Sequence, residues 1–149
     1  MKFTILHSMK KQKSVYVPMV AEYLHPGHVN ILKIAANLGE VMVGLYTNKA
    51  VAEYKRLPFM TFEQRKIVLE SIKYVSQVVE QNEKDYEPNL RKYKPDFMVH
   101  GNDWREGTLA IAREKAIAIM AEWGGKIVEP EYTDGISSTL MSEHYSKNK

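Results

Sequence analysis

Apolar residues along the chain alternate between short β-rich runs and stretches with a helical period. "SVYVPMV" (14–20), "EVMVGLY" (40–46), "SQVVE" (76–80), "PDFMVH" (95–100) and "KIVEP" (126–130) read as strands. The segments between them carry apolar residues every three or four positions, as one face of a helix does. "HVNILKIAANLG" (28–39) puts Ile31, Ile34, Ala35 and Leu38 on one face and ends at Gly39, a residue suited to a left-handed C-cap. "TFEQRKIVLESIKY" (61–74) opens with Thr61 and Gln64 in capping-box spacing and carries Ile67, Val68 and Ile72 as its apolar stripe. "YEPNLRKYK" (86–94) predicts a short helix, and "TLAIAREKAIAIMAEW" (108–123) a long one stopped by Gly124 and Gly125. "ISSTLMSEHYSK" (136–147) predicts a last helix after a turn at Thr133, Asp134 and Gly135.

This alternation predicts an α/β domain, Rossmann-like and three-layered, with a five-stranded parallel sheet and helical crossovers. No repeat, low-complexity tract or linker interrupts residues 1–149, so a single domain is expected, with 1–13 as a basic lead-in.

Composition narrows the function classes. A chain of 149 residues that is 44% hydrophobic can bury one sizeable core. Twenty-one basic and 18 acidic residues leave a net charge of +3, a mild preference for anions that does not argue for nucleic acid. The absence of cysteine excludes disulfides and thiolate metal sites, and points to a reduced compartment, the cytoplasm. No apolar run is long enough for a membrane span, and "MKFTILHSMKKQK" lacks the apolar core and cleavage site of a signal peptide.

In an open parallel sheet, ligands bind beyond the carboxyl ends of the strands, where the strand order reverses. Four segments would gather there: "HPGH" (25–28), "YTNKAVAEYKR" (46–56), "HGNDW" (100–104) and "YTDGISST" (132–139). In the first, Pro26 suits the first helical position and Gly27 allows close approach to the backbone. The helix N-terminus that follows offers unpaired N–H groups to a phosphate, flanked by His25 and His28. Two other readings stand beside this one: an ordinary helix start whose histidines make local hydrogen bonds, or a zinc pair for which no third ligand is evident.

Ser137, Ser138 and Thr139 crowd hydroxyls after Gly135, either as a plain N-cap or as a second phosphate cradle. Lys55, Arg56 and Arg65 are solvated surface charges or fixed cations at the same mouth. Asp103 is a candidate partner for a hydrated magnesium ion or a nucleotide and Trp104 for stacking, unless the loop is a turn with a half-buried aromatic.

"HPGH", "KRLPFMTFEQRK", "HGNDW" and "YTDGISST", in this order and spacing, resemble the cytidylyltransferase family of HxGH nucleotidyltransferases over residues 14–145. Within it, "YKRLPFMTFEQRK", "DYEPNLRKYKPDFMVHGNDW" and "EWGGKIVEPEYTDGISST" look closest to the cytidylyltransferases of phosphonate biosynthesis. Enzymes acting on glycerol 3-phosphate and phosphoethanolamine look more distant. The resemblance implies transfer of CMP from CTP, with magnesium, to a small phosphonate such as 2-aminoethylphosphonate or 2-hydroxyethylphosphonate. A phosphate monoester acceptor is the alternative, as is a nucleotide-binding module without turnover. It further implies that His25, His28, Lys55 and Arg65 serve catalysis, with Lys55 between acceptor and α-phosphate.

By the same resemblance, Gly27, Gly101, Asp103 and Trp104 belong to the nucleotide site, as do Ile136, Ser137, Ser138 and Thr139. No metal-ligating residue set is implied. A homodimer with the helix after "HPGH" near its interface is also expected. The chain departs from the pattern at Met19 and Val20, where relatives have glycine and a hydroxyl residue, and at Glu22, Asn102 and Tyr132. Tyr132 replaces an arginine of the glycerol-phosphate enzymes, which favours the phosphonate branch. Tyr23, Tyr46, Tyr54 and Phe59 are candidates for shaping the acceptor pocket.

Overall fold

A computed structural model of the protein describes residues 12–131 and 133–148. Five parallel strands form one sheet in the order β3-β2-β1-β4-β5. They are β1 (Ser14–Met19), β2 (Glu40–Tyr46), β3 (Gln77–Gln81), β4 (Phe97–Val99) and β5 (Lys126–Val128). Six α-helices connect or follow them: α1 (Pro26–Leu38), α2 (Asn48–Ala52), α3 (Phe62–Glu70), α4 (Glu87–Tyr93), α5 (Ala110–Ala121) and α6 (Ser138–Lys147). The expected Rossmann-like arrangement is present. Strand order reverses at β1, which pairs with β2 on one side and β4 on the other, so the crevice opens beyond Met19 and Val99.

The central strand shows why apolar runs were legible as strands. Val15, Val17 and Met19 face one layer with Leu32 and Ala35 of α1 and Leu69 of α3. Tyr16 faces the other, with Ala50 and Val51 of α2, Leu90 of α4 and Met120 of α5. Both faces are covered, so the strand needs no polar side and reads as a continuous apolar run. Each fully buried side chain of Leu32's kind stabilises the fold by about 2 kcal/mol.

Three local expectations change. Gly39 is extended (φ 166°), not left-handed. Its missing side chain serves close approach, because a Cβ there would lie 2.2 Å from the Lys13 carbonyl oxygen. That carbonyl accepts from Glu40 N–H at 2.8 Å, so Lys13 is already bonded to the sheet at the start of its central strand; the rest of the expected lead-in, up to residue 11, falls outside the described residues.

The apolar stripes also differ. On α3, Ile67 is 67% exposed, whereas Arg65 and Leu69 are buried. On α1, Leu32 and Ala35 are buried and Ile34 sits at the rim of the cleft. Finally, residues 48–52 form α2, a short helix capped by Thr47, whose Oγ1 accepts from Ala50 N–H at 3.2 Å.

Candidate active site

The turn after β1 is closed by hydrogen bonds to the rings of its own two histidines. His25 is the N-cap of α1, and its Nδ1 accepts from Gly27 N–H at 3.0 Å. His28, at the third helical position, reaches back so that its Nδ1 accepts from His25 N–H at 3.2 Å. This is a capping box built from two imidazoles in place of the usual hydroxyl and carboxylate. Because both Nδ1 atoms accept, both rings are neutral Nε2–H tautomers, which leaves each with a donor free for a ligand. The rings lie 4.0 Å apart, centroid to centroid.

Charge reinforces the assignment. Burial first, then the repulsion that protonation would meet from the His25 ring and from Lys55, pushes the His28 pKa down to about 4, and burial also lowers that of His25. Gly27 acquires a reason the sequence did not supply: a Cβ there would lie 2.7 Å from His25 Cε1, so the missing side chain makes room for the His25 ring.

Across the crevice, α6 presents a second helix N-terminus. Ser137 is its N-cap, and its Oγ accepts from Leu140 N–H at 3.0 Å. The hydroxyl hydrogen of Ser137 and the side chains of Ser138 and Thr139 stay available to the cleft, whose volume is about 280 Å³. Its wall also includes Gly101, Asp103 and Ile136. A Cβ on Gly101 would fall 3.1 Å from Asp103 Oδ1, so glycine keeps this corner open.

A second cavity of about 250 Å³ adjoins the first and reaches down to the ends of β1 and β2. His28, Ile31, Lys55, Asp103 and Ser138 line both. Lys55 therefore stands at the junction, and burial lowers its pKa. Tyr46, Tyr54 and Tyr86 wall the deeper cavity, and the Tyr46 hydroxyl donates to that of Tyr86 at 2.8 Å. Of the side chains expected to shape an acceptor pocket, Tyr46 and Tyr54 are there; Tyr23 lines neither cavity, and Phe59 is 89% exposed.

Two predicted site residues stand elsewhere. Arg65 is fully buried behind the cleft, and its guanidinium donates to the Val20 and Tyr46 carbonyls at 2.8 Å and to Asn48 Oδ1 at 2.7 Å. It ties the ends of β1 and β2 to α2, and lines neither cavity. Trp104 is likewise buried; it stacks on His100 with centroids 3.9 Å apart and donates from Nε1 to Glu129 Oε2 at 2.6 Å. Arg113 holds the Glu129 carboxyl down to about 2. Trp104 thus supports the pocket wall from behind, while His100 forms the wall of the deeper cavity. Tyr132 lies outside the described residues.

Acidic groups are more numerous at the cleft than the sequence suggested. Glu131 borders the first cavity beside Asp103, and Glu22 borders the second. Glu22 is 5% exposed, and its Oε1 receives no aligned hydrogen bond although Arg56 Nη2 approaches it at 3.1 Å. Among the described residues no three imidazoles or carboxylates converge as a metal cage. The side chains present therefore fit a magnesium ion only as one carried on ligand phosphates, with Asp103 or Glu131 as neighbours to its water shell. No helix among the described residues is long and apolar enough to cross a membrane.

Two helix N-termini, two neutral imidazole donors and a lysine thus converge on one crevice, an arrangement suited to a polyphosphate. Comparison with known proteins agrees: residues 21–143 match the family model described as cytidylyltransferase-like. The chain belongs to the cytidylyltransferase-like family. It is 31% identical over 130 residues to glycerol-3-phosphate cytidylyltransferase of Staphylococcus aureus, covering 85% of this chain and 91% of that protein. It is also 31% identical over 134 residues to ethanolamine-phosphate cytidylyltransferase of Dictyostelium discoideum, which covers 89% of this chain and 36% of that longer protein.

Among solved structures, a lipopolysaccharide core biosynthesis protein from Thermoplasma volcanium superposes with a TM-score of 0.67 at 20% identity, over 82% of this chain and 97% of that one. At that identity the likeness concerns the fold. Family membership makes the protein a transferase of the cytidylyltransferase class. These named relatives act on phosphate esters, and nothing in them singles out the phosphonate branch expected from the sequence.

Proposed function

We propose that the protein transfers CMP from CTP to a small phosphate monoester, of the size of phosphoethanolamine or glycerol 3-phosphate, with release of pyrophosphate. The carrying observation is the pair of adjoining cavities that share His28 and Lys55. One is suited to a triphosphate, and the other to a compact anion that must reach its α-phosphorus.

In the reaction an oxygen of the acceptor phosphate forms a bond to the α-phosphorus, and the bond from that phosphorus to the oxygen bridging to the β-phosphate breaks. The pyrophosphate leaves with the electron pair. The acceptor is already an anion, so no base has to remove a proton; what must be overcome is repulsion between two anions. Lys55 sits where it offsets that repulsion. The His25 and His28 Nε2–H groups donate to the α- and β-phosphate oxygens as charge grows on them. Ser138, Thr139 and the α6 N-terminus receive the outer phosphates. A magnesium ion carried with the nucleotide would neutralise part of the same charge.

Glu22 refines the acceptor. The buried Glu22 side chain, which lines the deeper cavity with three tyrosines and has only the exposed Arg56 within 3.1 Å as an ion partner, is a poorer neighbour for a second anion than for an ammonium group. This favours phosphoethanolamine over glycerol 3-phosphate. It equally suits 2-aminoethylphosphonate, the phosphonate reading, which differs only by the absence of the ester oxygen. Pyrophosphate release with CTP, magnesium and each of these three acceptors tests the proposal, with ATP as control nucleotide. The amino-bearing acceptors should be turned over at least tenfold faster than glycerol 3-phosphate. Absence of release with every acceptor, while CTP still binds, would favour a nucleotide-binding module instead.

A further inference from the structure

We propose that Arg56 is a positioning residue that straps the C-terminal helix to the floor of the acceptor cavity and so sets the α6 phosphate cradle. This deepens, and rests on, the reading of the α6 N-terminus as a phosphate site.

Helix α6 is held unlike the other long helices. None of its residues is buried, whereas α1, α3 and α5 each bury at least two. The loop before it is pinned by Asn30 Nδ2, which donates to Thr133 Oγ1 at 3.2 Å. Beyond Ser137, the side-chain hydrogen bonds of α6 are internal with one exception among the described residues: Arg56 Nη2 donates to Ser142 Oγ at 2.8 Å. The same nitrogen lies 3.1 Å from Glu22 Oε1. Arg56 follows Lys55, so one short segment carries the lysine at the junction of the cavities and the arginine that reaches α6.

These contacts form a chain: Glu22 at the end of β1, Arg56 after α2, Ser142 one turn into α6, and then the hydroxyls at the α6 N-terminus. Glu22 is buried, while the Arg56 side chain is 59% exposed. An exposed hydrogen bond between a cation and a hydroxyl stabilises only modestly. The strap is therefore strong enough to bias α6 toward the cleft and weak enough to release it, as ligand entry and product exit require. Neither Arg56 nor Ser142 lines either of these two cavities, so the effect on nucleotide is transmitted through α6.

Hydrogen exchange of the α6 amides and steady-state kinetics, measured on the full chain as wild type, Arg56→Ala, Ser142→Ala and the double variant, test the strap. Exchange at residues 141–145 should quicken roughly three- to tenfold in each variant without ligand, the scale of one lost hydrogen bond. KM for CTP should rise by a similar factor with kcat little changed. The double variant should be no worse than Arg56→Ala, because both remove one contact. Unchanged exchange in Arg56→Ala, or quickened exchange with unchanged KM, would overturn the strap. If exchange quickens as expected but wild-type protein turns over no acceptor, the strap stands and the transferase reading of the site fails.

Discussion

The two helix N-termini that face each other across the cleft are built on opposite principles. That of α1 is locked from within: two histidines cap it reciprocally, and the helix behind it buries Leu32 and Ala35 in the core. That of α6 has a single serine cap and a helix that buries nothing. The contrast assigns them different tasks. Donors that must meet charge at a reacting phosphorus gain from being held before the substrate arrives. Donors that grip the departing pyrophosphate must also let it go.

The largest test of that division compares substitutions at the two ends. Replacing His25 and His28 together by Ala should lower kcat about a thousandfold, the scale for losing transition-state donors in a preorganised site. Replacing Ser138 and Thr139 together should act mainly on KM for CTP, by roughly tenfold, with a smaller loss in kcat. Steady-state assays of the two double variants separate these outcomes. Equal kcat losses at both ends would erase the distinction.

A smaller effect concerns stability and belongs to the α1 end alone. The native pKa of His28 is pushed down to about 4 from an ordinary 6.5. Between those values the unfolded chain binds a proton at this position that the native one does not. Stability therefore rises with pH across the window and is lost as pH falls from 6.5 towards 4. His28→Asn should flatten the pH dependence of denaturant-measured stability there by up to about 1.4 kcal/mol per pH unit. An unchanged slope would mean that His28 is not held neutral by its surroundings.

The same contrast explains what the sequence made legible. The α1 corner is local: its capping partners lie three residues apart, and the pattern from His25 to His28 shows in the order of the letters. The five strands were legible because a sheet covered on both faces needs only apolar runs. Arg65 misled for the opposite reason, since its acceptors are the carbonyls of Val20 and Tyr46, 45 and 19 positions away along the chain. A periodic reading counts such an arginine as polar and outward, which also shifted the α3 stripe onto the exposed Ile67. Trp104 was assigned to the pocket, while Glu129, 25 residues on, draws it behind the wall.

The most direct measurement is the state of the histidine rings, read by long-range proton–nitrogen NMR correlation with and without CTP. His25 and His28 should be neutral Nε2–H tautomers in the free protein, and CTP should shift their Nε2–H signals strongly. His100, whose Nδ1 donates to the Gly101 carbonyl at 2.8 Å, should show the other tautomer. Nδ1–H tautomers at His25 and His28, or rings indifferent to saturating CTP, would contradict the capping box as the phosphate-facing donor pair.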